Sequence, residues 1–169
     1  TSNKNAAVDA DREARGLQPL MAPARKEMGD VWDDAMRRID NDATWQDRII
    51  EELKDNPRTL SDLESAALLH RRIDLMNSRD RAGQRYEEAN AAGFGTKASE
   101  EAGAYARWTG LLNTLDEVVH AAGTEWGRAG VARQMMARED YSLVKMERDA
   151  RIAKGEPLTD EEVKTVARI

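Results

Sequence analysis

Residues 98–139 read ASEEAGAYARWTGLLNTLDEVVHAAGTEWGRAGVARQMMARE, and this stretch decides the fold. Tyr105, Trp108, Leu112, Leu115, Val119, Ala122, Trp126, Ala129, Arg133 and Met136 recur at alternating spacings of three and four. That is a heptad seam, and it predicts one unbroken amphipathic helix. At about 1.5 Å per residue the helix would be roughly 60 Å long. A compact domain cannot surround such an element, so the remaining helices must lie along it or extend it.

A second long helix precedes it. Ser61-Asp-Leu-Glu64 is a capping box, in which hydroxyl and carboxylate each satisfy a free backbone N–H. The helix it opens runs to about Ala92, with Leu68, Leu75, Ala82 and Ala89 on a sevenfold seam flanked by Ala67 and Tyr86. Leu69, Ile73 and Met76 form another apolar strip on its opposite side. The first half is therefore expected to be sandwiched between two layers, and the second half to be more exposed. Gly93-Phe-Gly95-Thr96 joins the two long helices, with Gly93 suited to a left-handed C′ position and Thr96 or Ser99 to an N-cap. So short a link makes them antiparallel, an αα-hairpin over about 60–92 and 98–139.

Shorter helices flank the hairpin. Residues 1–5 are polar and expected to fray. Ala6–Arg15 is a weak helix ended by Gly16. Ala24, Met28, Val31, Trp32, Ala35 and Ile39 make one stripe behind Pro23, a residue tolerated in a first helical turn. Thr44 with Asp47 starts a helix bearing Trp45, Ile49, Ile50 and Leu53, which Asn56-Pro57 stops. Beyond Glu139, Asp140 or Ser142 caps a helix with Leu143, Met146, Ala150 and Ala153, and Thr159-Asp-Glu-Glu162 opens a last one. The expectation is an all-α elongated bundle in three stretches: buttressing helices at 1–58, the hairpin at 59–139 and C-terminal helices at 140–169.

Composition narrows the function classes. Of 169 residues 34% are charged and 5% aromatic, a balance suited to long helices with solvated faces. A net charge of −6 argues against a dedicated duplex-DNA binder. The absence of cysteine removes disulfides, zinc thiolates and cysteine nucleophiles, and fits a reducing, cytoplasmic setting. No apolar run is long enough to span a membrane. The chain begins without methionine and its last helix has no C-cap signal, so it reads as a piece of a longer polypeptide.

Three constellations carry candidate chemistry. His70 and His120 fall at about the same height on facing helices, and with Asp74 and Glu117 they offer two imidazoles and two carboxylates. Glu117-x-x-His120 has the spacing of di-iron bundles, but the second such motif is missing; the plain alternative is two surface histidines. Arg71, Arg72, Arg79, Arg81 and Arg85, with Tyr86, could contact a phosphate backbone. Asp74, Asp80, Glu87 and Glu88 interleave with them, which favours a salt-bridged face. Gly123, Gly127 and Gly130 form either a smooth strip for close helix packing or a break near Ala122–Thr124. With Trp108, Trp126, Arg128 and Arg133 they are the candidate helix-packing surface. No nucleophile–base arrangement can be assembled, and neither a cofactor nor an enzymatic activity is expected.

Gly123-Thr124-x-x-Gly127-Arg128-Ala129, followed by Ala132-Arg133 and then Asp140-Tyr141-Ser142-Leu143, resembles a helical segment of the large polyvalent proteins of phages and conjugative elements. The likeness is confined to about residues 114–162. It implies a non-catalytic helical module inside a giant protein that enters the host with the element's DNA, virion-associated or delivered into a host cell. Trp126, a bulky residue among the glycines, departs from the pattern. The function expected is a spacer or docking module acting through a protein partner, a neighbouring domain or a second copy. The alternatives are a nucleic-acid-contacting module using Arg71–Arg85, and a metal-dependent bundle enzyme using His70, Asp74, Glu117 and His120.

Overall fold

The computed structural model describes residues 1–122, which form six α-helices and no strand. They are α1 (Ser2–Ala14), α2 (Met21–Met28), α3 (Asp30–Asn41), α4 (Trp45–Asp55), α5 (Asp62–Ala91) and α6 (Gly95–Ala121). The class is all-α, built on the α5–α6 hairpin. The expectations for residues 123–169 lie outside the described residues.

The capping box forms as expected: Glu64 N donates to Ser61 Oγ at 3.1 Å, and Ser61 N to Glu64 Oε1 at 3.1 Å. Arg58 braces it, with Nη1 2.8 Å from Glu64 Oε1, and this guanidinium is the main reason the Glu64 carboxyl lies below its ordinary range. At its other end α5 closes in a Schellman motif. Gly93 N donates to Asn90 O at 3.2 Å and Phe94 N to Ala89 O at 2.9 Å, with Gly93 at φ +77°. The chain then re-enters helix at once. Phe94 is the N-cap of α6 and gives no side-chain cap, so neither Thr96 nor Ser99 starts it.

Both faces of α5 are used. Leu68, Leu75, Ala82 and Ala89 are buried, as are Leu69, Ile73 and Met76. α6 packs along α5, as do α3, α4, α2 and α1, and α1 reaches Asn77, Asp80 and Arg81 in the second half of α5. The hairpin register follows from two contacts. Arg72 meets Asp116, and a Cβ on Gly83 would lie 3.3 Å from the Tyr105 ring. Each pair of residue numbers sums to the same value, 72 + 116 = 83 + 105 = 188, so facing residues across the hairpin share that sum throughout.

Three further expectations change. α6 does not run unbroken to Glu139: it ends at Ala121, with Ala122 extended at ψ 143°. The break falls where Ala122-Gly123-Thr124 offered one. The stripe from Ala24 to Ile39 is two helices rather than one, because Gly29 adopts φ +60°, ψ −135° between them. Periodicity cannot register such a break, since the stripe continues in phase across it. Residues 2–5 belong to α1 rather than fraying, and Asn5 is buried.

α2 has no capping side chain of its own. Asp9 supplies the cap from α1, accepting from Leu20 N, Met21 N and Ala22 N at 3.0, 2.8 and 2.9 Å. Pro23 then removes the fourth free donor, so the start of α2 is satisfied without water.

Candidate functional site on the hairpin

His70 lies in the core, not on the surface. α5 carries its ring into a junction where α1, α3 and α4 each contribute one side chain. Nε2–H donates to Asn5 Oδ1 at 2.8 Å, and Nδ1 accepts from Gln46 Nε2 at 3.1 Å. An amide oxygen can only accept and an amide nitrogen only donate, so the partners assign the tautomer. Gln46 Nε2 also reaches Ala67 O at 2.8 Å, and Trp32 meets the ring edge-on at 5.9 Å. Burial, with the nearby Arg71 charge second, pushes the imidazole down to about 4. The ring is neutral near pH 7 with both nitrogens engaged.

That placement dissolves the four-residue metal constellation. Asp74, Glu117 and His120 are exposed while His70 is buried. Among the described residues no three His, Cys, Asp or Glu side chains are placed to hold a metal ion.

The five arginines do not share a face, because consecutive helical residues point about 100° apart. Arg71 turns to Asp47 on α4. Arg72 is 1% exposed and forks onto Asp116, Nε to Oδ1 at 2.7 Å and Nη2 to Oδ2 at 3.0 Å. Arg79 is buried at 8% exposure. Arg81 is exposed, 3.6 Å from Asp11 of α1, and Arg85 is exposed near the hairpin tip. Only Arg81 and Arg85 are displayed to solvent. Interleaved acids predicted pairing, but spacing alone did not reveal that Arg72 and Arg79 occupy the α6-facing seam.

Trp108 is half-buried. Along its flank of α6, Leu115, Val118 and Ala122 are covered, whereas Leu111 is 51% exposed and Phe94, at the tip, 64% exposed. The exposed apolar side chains of the hairpin are thus Leu111, level with Asn77 of α5, and Phe94 at the tip, with Trp108 half-buried between them. Gly123, Trp126, Gly127, Arg128, Gly130 and Arg133 lie outside the described residues.

A second feature escaped sequence reasoning. Arg38, Trp45, Arg48, Ile49, Glu52, Ser61, Leu63 and Glu64 line a cleft of about 370 Å³ between α3, α4 and the start of α5. The Arg38 guanidinium stacks over the Trp45 ring at 4.7 Å. Arg48 pairs with Asp42, and Arg58 joins Glu52 to Glu64, so the rim is largely self-neutralised. No described helix is long and apolar enough to cross a membrane. Set against family models, curated proteins and solved structures, the chain matches none of them.

Proposed function

We propose that this chain is a non-catalytic spacer or docking module of a large phage- or mobile-element-encoded protein, working through helix–helix contacts on the hairpin. The observation that carries the reading is the exposed apolar side chains on the hairpin, Leu111 and the tip residue Phe94, with half-buried Trp108 between them. Surface of this kind, rimmed by charge, suits a partner helix or a neighbouring domain. The buried polar groups point the same way. The His70 cluster and the Arg72–Asp116 fork join one helix to another, which is what a rigid spacer requires. The resemblance of residues 114–162 to polyvalent proteins supplies the setting, cytoplasmic or delivered with the element's DNA.

The test is the size of the native protein in source cells, probed with an antibody against this domain. A band far above 18.9 kDa supports a module of a giant chain. A band at that mass sinks the reading.

A further inference from the structure

Arg72 and Arg79 stand one heptad apart on the face of α5 that meets α6, in the series Leu68, Arg72, Leu75, Arg79, Ala82. Both are buried, but their forks differ. Nε and Nη2 are the two donors on one edge of a guanidinium, the edge that matches a carboxylate. Arg72 turns this edge to Asp116. In Arg79 the same two atoms are buried and have no hydrogen-bond partner. The carboxylate beside it is Asp80, whose Oδ1 is 3.6 Å from Arg79 Nε, too far for a hydrogen bond, while its Oδ2 faces Arg12 Nη1 at 3.4 Å.

The register explains the difference. The residue facing Arg79 is Thr109, since 79 + 109 = 188, the sum shared by 72 and 116. Where Arg72 finds an aspartate, Arg79 finds a hydroxyl that has already turned back to donate to Tyr105 O at 2.8 Å. Burying an unmatched guanidinium edge is costly, and its geometry calls for two coplanar oxygens. The α6 side chains that cover this level, Tyr105, Trp108 and Thr109, are themselves only half-buried.

We infer that the Nε/Nη2 edge of Arg79 is a receptor for one carboxylate, presented at the α5–α6 seam beside Trp108. The carboxylate comes either from a small organic acid or from an acidic side chain of a protein partner. This rests on the hairpin's own geometry and stands or falls independently of the polyvalent-protein reading.

The experiment follows arginine Nε–Hε resonances in the ¹⁵N-labelled full chain, with the Arg79 signal assigned by its loss in Arg79→Met and, should that variant fold poorly, in Arg79→Lys. Sodium acetate is titrated against sodium chloride at equal ionic strength, alongside a capped helical peptide carrying one glutamate. The expected result is a saturable downfield shift of the Arg79 signal with acetate or peptide, none with chloride, and an unmoved Arg72 signal. Tighter binding of the peptide assigns the source to a protein side chain; equal or tighter binding of acetate assigns it to a small acid. In Thr109→Glu the Arg79 signal should shift without any additive and lose its response to acetate. An Arg79 signal that ignores both probes, or follows chloride equally, overturns the inference. So does a folded Thr109→Glu protein whose Arg79 signal keeps its original position.

Discussion

Mild acid should loosen the bundle through His70, against a smaller opposite contribution from Asp74, whose carboxyl is held above its ordinary range by desolvation. The imidazole titrates near 6.5 in the unfolded chain and is pushed down to about 4 in the fold, chiefly by burial. A depressed folded value means that the unfolded state binds the proton first. The stabilisation is therefore complete above about pH 6.5 and declines as pH falls toward 4. Between pH 7.5 and pH 5 this single linkage removes about 2 kcal/mol, rising to about 3 kcal/mol once both states are protonated. Geometry supplies the reason. Protonation makes both nitrogens donors, so Nδ1 would confront the Gln46 amide donor, and Gln46 could turn its oxygen inward only by losing Ala67 O. The carboxylates of Glu64 and Asp42 do not obscure the window. The Arg58 guanidinium and the Thr44 hydroxyl, respectively, hold them below the ordinary carboxylate range, so they titrate at lower pH. The assay is urea denaturation followed by tryptophan fluorescence at several pH values, on the parent and on His70→Gln. The variant should be about 1–2 kcal/mol less stable at neutral pH, yet nearly flat between pH 7.5 and 5. A parent whose stability does not change over that range, or a variant that keeps the full slope, would refute the argument.

The two buried seam arginines should respond unequally to truncation. Arg72→Met strips Asp116 of its fork and should cost about 1–3 kcal/mol, whereas Arg79→Met removes only the 3.6 Å ion pair to Asp80 and should cost less than about 1 kcal/mol, both read from urea midpoints. Asp9→Ala uncaps three donors of α2 and should lower stability by about 1–2 kcal/mol, with faster amide exchange at Leu20, Met21 and Ala22. Gly83→Leu drives a side chain into the Tyr105 ring and should cost about 1–3 kcal/mol, visible as a lower thermal midpoint. Leu111→Ser alters only exposed surface and should leave stability within about 0.5 kcal/mol; a larger loss would show that this position is packed.

What could be read from the residues was whatever depends on period and on local signals. The seam of α5, the α6 seam as far as Ala122, the capping box at Ser61 and the C′ glycines at Gly16 and Gly93 are written in neighbouring residues, and each appears where spacing put it. The misreadings needed information that neighbours do not carry. Gly29 interrupts a stripe that stays in phase on both sides, so no period reveals the break. Asn5 looked like part of a frayed end because its reason for order, His70, lies 65 residues away. The arginines looked like one basic stretch because a linear reading counts charges, whereas the helix distributes them over several partners. The His70–Gln46–Asn5 cluster had no sequence signal at all, beyond a histidine beside an apolar strip.

The polar residues of the seam also depend on how tightly the hairpin is turned. Slid by one heptad, α6 would bring Asp116 to Arg79 and take it from Arg72, so side-chain pairing alone would tolerate either register with one arginine satisfied. The connection decides between them. Only Ala92, Gly93 and Phe94 separate α5 from α6, and the Schellman bonds to Ala89 and Asn90 consume this link completely. A heptad slip would have to unwind about seven residues of helix to lengthen it, forfeiting their backbone hydrogen bonds and seam contacts, far more than one ion pair returns. The turn therefore sets the register, the register assigns Asp116 to Arg72, and Arg79 is left with its carboxylate-binding edge unmatched. Lengthening the turn should reverse the order: with a heptad of glycine and serine inserted after Gly93, the Asp116 contact becomes free to move from Arg72 to Arg79, and double-mutant cycles of Asp116 against each arginine would report which pairing holds. Coupling that stays wholly with Arg72 after the insertion would show that the seam, and not the turn, sets the register.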